Sequence, residues 1–234
     1  MREGRWPLRC FTCRASGWIH GMILDGAAVY VIQNGGVISL THVDNLNKIK
    51  KEWFIPRIGY VWPGAIMDST LFLVDYHGGD VFSYNLITKK TRILTKWLDL
   101  PQDLTMVPGK ANEPFFVVSE FNPMHVNIFD SRWKLRHVIK ARDWLEDRNK
   151  RDNANKVIAT PWGTIFVAYF ESNRVAEFSM DGGYVRDVLT AEDGIYGPFC
   201  MSIQDPYLWV VHEFKYRHYG SPKTLVKRFK ITRS

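Results

Sequence analysis

Short apolar runs with an aromatic residue inside them recur along the chain at nearly regular spacing. The runs are Val29-Tyr30-Val31, Leu71-Phe72-Leu73, Phe115-Phe116-Val117, Ile165-Phe166-Val167 and Leu208-Trp209-Val210. Their central residues are 42, 44, 50 and 43 positions apart. A period of this length is typical of proteins built from repeated structural units. The pattern therefore predicts five such units.

A second apolar signature follows each run, namely a valine with a large apolar residue three positions later. Its occurrences are Val37 to Leu40, Val81 to Tyr84, Val126 to Phe129, Val175 to Phe178 and Val226 to Phe229. Turn-forming residues such as Asn34-Gly35-Gly36 separate the two signatures, which predicts hairpins. Because successive side chains on a strand point to opposite faces, this signature needs both faces of the sheet to be buried. Blades of a β-propeller meet that condition.

Flanking segments complete each unit as a four-stranded blade. A short apolar segment before each run predicts the innermost strand, and these segments are Met22 to Asp25, Ala65 to Asp68, Leu104 to Val107, Val157 to Thr160 and Met201 to Asp205. More polar segments after the hairpins predict the outermost strands, namely Lys48 to Phe54, Thr91 to Leu98, Leu135 to Lys140 and Tyr184 to Leu189. The expected fold is an all-β, five-bladed β-propeller forming one domain over residues 1–234. Its blades are expected at 17–56, 57–98, 99–145, 146–192, and 193–234 together with 5–13.

The fifth unit has no outer strand of its own, because the sequence ends at Ser234. The segment from Trp6 to Cys13 resembles a strand, and we expect it to pair with the C-terminal blade and close the ring. Closure removes the open strand edges that promote aggregation. The alternatives are a six-bladed propeller with one degenerate blade and a fragment of a longer propeller, although units of about 45 residues leave little room for a sixth blade.

The fourth unit carries a recognisable motif within residues 157–190. Gly163 precedes an apolar run, Asn173-Arg174-Val175 follows it, and Asp181-Gly182 forms a turn. In this arrangement the unit resembles an NHL repeat, and Asp75 matches the acidic position of such repeats in the second unit. The resemblance implies a β-propeller and, in function, a binding platform for protein or RNA.

Positive charge is concentrated at the C-terminal end of the chain. The net charge is +7, and residues 215–234 contain seven basic residues and no acidic one. Closure by the N-terminal strand adds further arginines, so the closing blade is expected to attract a polyanion such as RNA, or an acidic protein face. The predicted binding residues are Arg2, Arg5, Arg9, Lys215, Tyr216, Arg217, Tyr219, Lys223, Lys227, Arg228, Lys230 and Arg233. A basic tail that only maintains solubility is the competing interpretation.

Residues that could support catalysis are present but loosely arranged. Near the central channel we expect His20, Asp103 and Asn155, with Asp75, Glu120, His212 and Glu213 after the aromatic runs. Such side chains can bind calcium or transfer protons. The matching inner positions of other blades, however, hold Gly64, Leu104 and Cys200. We therefore assign no catalytic residue, metal or cofactor.

The function expected from the sequence is a non-catalytic binding or assembly module that associates with one or more proteins. The alternative is an RNA-binding propeller that uses the basic closing blade, and a metal-dependent hydrolase or lactonase is the third possibility. No run of apolar residues reaches the length of a signal peptide or a membrane helix, so an intracellular, soluble protein without membrane contact is expected.

Overall fold

Nineteen β-strands and one three-residue 3-10 helix, Ala191–Asp193, make up the regular structure of the described part of the chain. The structure is a computed structural model. It describes residues 19–25, 28–33, 37–42, 50–55, 60–109, 113–121, 124–140, 152, 154–214 and 223–231. The strands form five antiparallel sheets that follow one another along the chain, and the fold is an all-β, five-bladed β-propeller. Five blades, rather than six, is the correct prediction.

The chain divides into two compact units, residues 1–61 and 62–234. The first unit contains the first blade, with strands β1 (Ile19–Asp25), β2 (Ala28–Gln33), β3 (Val37–His42) and β4 (Lys51–Phe54) paired in that order. Val31, Ile32 and Ile38 of this sheet are buried. Gln33 is also buried there, and its amide donates a 2.7 Å hydrogen bond to Ser39 Oγ.

The other four blades lie in the second unit, apart from Val61 at the start of β5. The second blade is β5 (Val61–Met67), β6 (Thr70–Asp75), β7 (Asp80–Asn85) and β8 (Thr91–Thr95). The third blade is β9 (Pro101–Val107), β10 (Phe115–Glu120), β11 (His125–Phe129) and β12 (Leu135–Lys140). The fourth blade is β13 (Ala154–Ala159), β14 (Ile165–Tyr169), β15 (Arg174–Phe178) and β16 (Tyr184–Leu189). The fifth blade is β17 (Pro198–Gln204), β18 (Tyr207–Phe214) and β19 (Lys223–Lys230).

In the third and fourth blades the valine signature buries its two apolar residues on opposite faces of the sheet, as the sequence predicts. In the third blade Val126 packs with Val167 of the fourth blade, whereas Phe129 packs with Phe72 of the second. Both side chains are buried. A sheet covered on both faces by neighbouring sheets explains why these strands are nearly continuous in apolar residues.

The aromatic run of the third blade is out of phase with the runs of its neighbours. Phe166 packs towards the following blade beside Leu208, but Phe116 points back to Phe72, with 4.8 Å between the ring centroids. Val117, the next residue, packs against the fourth blade instead. A shift of one residue on a strand reverses the face that a side chain occupies. The five aromatic residues therefore mark equivalent strands but not equivalent positions.

The fifth blade has three strands in the described residues. The segment from Trp6 to Cys13, expected to supply its fourth strand, lies outside the described residues, so closure by that segment stays a prediction. The assignment of residues 1–234 to one domain also stays a prediction. No helix among the described residues has the length and apolar character needed to cross a membrane.

Candidate functional site

The predicted basic surface is described only on strand β19, where Lys223, Lys227, Arg228 and Lys230 lie. The remaining predicted binding residues, Arg2, Arg5, Arg9, Lys215, Tyr216, Arg217, Tyr219 and Arg233, lie outside the described residues. The proximity of the two chain ends therefore stays a prediction. What the structure does show is how the described part of β19 directs its side chains.

One face of β19 packs against the fourth blade. Phe229 packs in an apolar cluster with Leu208 and Val210, and Lys227 Nζ donates a 2.6 Å hydrogen bond to the carbonyl oxygen of Gly194. This lysine fastens the strand to the loop that precedes the fifth blade. Its charge is therefore committed to an internal contact, which the sequence pattern does not reveal.

The other face of β19 carries Arg228 and Lys230, both exposed. The Arg228 guanidinium lies over the rings of Tyr207 and Trp209, at 4.5 and 5.6 Å from their centroids. Trp209 is the direct cross-strand neighbour of Arg228, so both side chains lie on the same face of the sheet. Cation–π contacts of this kind orient an arginine and leave its N–H groups at the edge available for a partner.

Apolar residues on this face are exposed as well. Val226 begins the valine signature of the fifth blade and is 52% exposed, and Trp209 is 36% exposed. The corresponding residues of the second, third and fourth blades, Val81, Val126 and Val175, are fully buried. We call the set formed by Tyr207, Trp209, Val226, Arg228 and Lys230 the fifth-blade face.

A polar row that sequence reasoning only partly identified lies on the inner strands. The third residues of β9, β13 and β17 are Asp103, Lys156 and Cys200. Asp103 is buried and accepts hydrogen bonds from Lys156 Nζ at 2.7 Å and from the Val157 backbone N–H at 2.9 Å. Burial lowers the pKa of Lys156, but the Asp103 carboxylate outweighs it and leaves that pKa above its usual value. The pair is an ionic joint between the third and fourth blades.

Two buried carboxyl groups hold loops at the edge of the sheets where second strands end. Glu120 accepts a 2.7 Å hydrogen bond from Asn127 Nδ2, and burial, reinforced by the Asp99 carboxylate, raises its pKa to about 7. Asp152 accepts hydrogen bonds from the backbone N–H groups of Glu171 and Ser172, and burial raises its pKa to about 6. Groups that titrate near neutrality can act as general acids or bases.

Two further catalytic candidates of the sequence, Asp75 and His212, make local contacts. Asp75 accepts a hydrogen bond from the Gly78 N–H inside a hairpin turn, and His212 is buried, with Nδ1 3.4 Å from the Tyr196 N–H. The side chain of His20 lies outside the description. No group of three or more His, Cys, Asp or Glu side chains in the described residues is placed to hold a metal ion. Cys200 is a free, exposed thiol.

Comparison with known proteins identifies the fold only. No protein-family model matches the chain, and no curated protein matches it. A nidogen/laminin complex matches with a TM-score of 0.59 and 12% identity over 75% of this chain and 65% of that chain, just under two thirds of its length. A virginiamycin B lyase from Staphylococcus aureus matches with a TM-score of 0.59 and 14% identity over 91% of this chain and 70% of that chain. The chain thus shares the propeller fold with structures of different function.

Proposed function

We propose that the protein is a non-catalytic binding or assembly module that contacts a protein partner through the fifth-blade face. The observation that carries this proposal is the exposure of Trp209 and Val226 beside an arginine held over two aromatic rings. Tryptophan, tyrosine and arginine are the residues most enriched at the energetic centres of protein interfaces. The matching structure of a nidogen/laminin complex is compatible with a propeller that binds protein.

Several features favour a protein partner over RNA. Lys227 is bonded to Gly194, so the exposed cations described on β19 are Arg228 and Lys230, set among apolar side chains. A groove that tracks a phosphate backbone would need a longer series of accessible cations. RNA binding stays the second candidate, because Lys215, Arg217 and other predicted contacts lie outside the described residues.

The hydrogen bonds of two buried carboxylates support the hypothesis that the protein is not an enzyme. Asp103 joins two blades, and Asp152 holds the turn at Glu171 and Ser172. Each carboxylate therefore has a structural role. We also propose that residues 157–190 form an NHL-like repeat and that the protein is intracellular. Both parts of the proposal rest on the sequence.

The test uses the whole chain, isolated from its native source with bound partners retained. We expect Trp209→Ala to remove the partner, because hot-spot tryptophans contribute 2 kcal/mol or more, in round figures, to binding. Ile87→Ala is the matched control, since Ile87 is 76% exposed in a turn of another blade. Equal partner recovery with wild type and both variants, at unchanged melting temperature, would contradict the use of this face.

A labelled single-stranded RNA titrated across a salt series tests the second candidate. Binding that weakens steeply with salt and is lost in Arg228→Glu would favour the RNA-binding function over the protein-binding one. Metal analysis of the native protein addresses catalysis, because stoichiometric calcium or zinc would reopen the hydrolase possibility.

A further inference from the structure

The outer strand of the second blade and its flanks form a basic segment that the predicted closing blade does not include. Residues 89–97 contain four basic residues and no acidic one. We call the exposed basic and large apolar side chains of this segment the β8 strip: Lys89, Lys90, Arg92, Ile93, Lys96 and Trp97. Its two apolar members, Ile93 and Trp97, are 48% and 93% exposed.

The cations of the β8 strip differ from those on the outer strands of the next two blades. On β12 Arg136 pairs with Asp130 at 2.7 Å, and on β16 Arg186 pairs with Glu177 at 2.9 Å. In the part of the chain that the structure describes, no carboxylate pairs with a cation of the strip. The second blade therefore presents positive charge that its own sheet does not neutralise.

Trp97 ends the strip in an unfavourable backbone conformation. Its φ is +68°, in the left-handed region that bulky side chains seldom adopt. The chain is fixed immediately afterwards, because the Leu98 N–H donates a 2.9 Å hydrogen bond to the Gly79 carbonyl. The indole is thus held outwards on an anchored loop. Because it is almost fully exposed, burial of its surface does not offset the unfavourable backbone conformation. An exposed tryptophan at a fixed position is suited to be the anchor of an interface.

In the part of the chain that the structure describes, strand β8 also has an open edge. It pairs with β7 along one side and is the last strand in the order β5-β6-β7-β8. The backbone N–H and C=O groups of an edge strand can pair with an extended peptide, which adds a strand to the sheet. Nearby lysines make such an edge unattractive to another basic strand and attractive to an acidic one.

We propose that the β8 strip docks an extended acidic segment of a partner protein, which adds to the second blade as a fifth strand. Acidic side chains of the segment face Lys89, Lys90, Arg92 and Lys96. Apolar side chains of the segment contact Ile93 and Trp97. This surface lies on a different blade from the fifth-blade face, and the proposal does not depend on that face.

The experiment titrates the full chain with fluorescent peptides of about nine residues, long enough to span an average strand. The first peptide alternates glutamate and valine, the second alternates lysine and valine, and the third is the acidic peptide with prolines in place of its two central valines. We expect binding of the first peptide only. Lysine reverses the charge complementarity, and proline removes the backbone donors that strand addition requires.

Variants then locate the binding. Arg92→Glu combined with Lys96→Glu should weaken the acidic peptide about tenfold at low salt, and Trp97→Ala should weaken it by a similar factor. Ile87→Ala and Arg132→Glu are the controls, since both residues are exposed outside the strip, and neither should change the affinity. Hydrogen exchange should show new protection of amides within Thr91–Thr95 when the acidic peptide binds.

Three outcomes would overturn the proposal. Equal binding of the acidic and the proline-containing peptides would mean charge attraction without strand addition. Failure of every peptide to bind would mean that the lysines only keep the edge unpaired. Capture of a single-stranded RNA through Arg92 and Lys96, with no peptide bound, would assign the strip to a polyanion instead.

Discussion

Glu177 illustrates how one buried carboxylate can organise a whole turn. It accepts hydrogen bonds from Trp162 Nε1 at 2.9 Å, Thr164 Oγ1 at 2.6 Å and Arg186 Nε at 2.9 Å. Burial alone would raise its pKa, but these donors outweigh burial and lower it. The residue thus stays ionised and links the turn between β13 and β14 to strands β15 and β16. No sequence motif predicts this role.

Glu177→Gln should cost about 2 kcal/mol of unfolding free energy, because an amide cannot accept from all three donors with the strength of a carboxylate. The wild-type contribution is present above the unfolded pKa of the group and is lost as pH falls through the lower folded pKa. Chemical denaturation at neutral and acid pH measures both effects. Glu192→Gln, at an exposed glutamate, is the control, and an equal loss in both variants would contradict the assignment.

Glu120→Gln should have the opposite effect and stabilise the protein above neutral pH. The folded carboxyl, with a pKa of about 7, holds its proton more tightly than the unfolded one at 4.5. Stability therefore falls as pH rises between these values and levels off above them. We expect a gain of about 1–2 kcal/mol at pH 8, after allowance for screening by water. Denaturation from pH 5 to 8.5 measures it, and parallel curves for wild type and variant would refute it.

At the scale of elements, the ionic joint between β9 and β13 is the clearest example of a contact between blades. Asp103 belongs to one inner strand, while Lys156 and the Val157 N–H belong to the next. Removing one member leaves the buried Asp103 or the half-buried Lys156 without its ionic partner, which costs more than replacing both with apolar residues.

Asp103→Ala should therefore cost about 3–4 kcal/mol, and the double variant Asp103→Ala with Lys156→Met should recover part of that loss. A double-mutant cycle by chemical denaturation measures the coupling between the two side chains. Strictly additive losses would show that the joint contributes no coupling energy. Lys134→Met, at an exposed lysine of the third blade, controls for the loss of a charge.

Most strands follow from local patterns, because each aromatic run and each valine signature is buried within one short stretch of chain. What escaped prediction depends on neighbouring blades. The reversed orientation of Phe116 and the internal bond of Lys227 are both set by the residues that pack across the boundary. The exposed indole of Trp97 is equally unpredictable, since a tryptophan in an apolar context normally predicts burial.

For the whole molecule, the sequence leads to the correct number of blades, because the period of the repeat and the chain length agree on five. The candidate site was harder to predict. Clusters of charge can be counted in a sequence, but whether a cation is exposed, stacked on a ring or bonded to a carbonyl depends on tertiary packing. Arg228 and Lys227 are adjacent in sequence, but Arg228 is exposed and stacked on an aromatic ring, whereas Lys227 donates a hydrogen bond to a carbonyl oxygen.

Deletion of residues 1–13 should lower the melting temperature by about 5–10 °C if this segment completes the fifth blade, because loss of a strand removes several kcal/mol from a chain of this size. Calorimetry is the measurement. A variant with Arg2, Arg5 and Arg9 changed to glutamine retains the strand and separates the effect of charge from that of pairing. An unchanged melting temperature after the deletion would refute closure.

The position of Trp97 also gives the protein a built-in optical probe. Among the described tryptophans it is by far the most exposed, and its lysine neighbours concentrate small anions around it. Iodide should therefore quench this indole in preference to the packed ones, and quenching should weaken as ionic strength rises. The fluorescence of the unlabelled protein would then report directly on the second blade, whatever its partner proves to be.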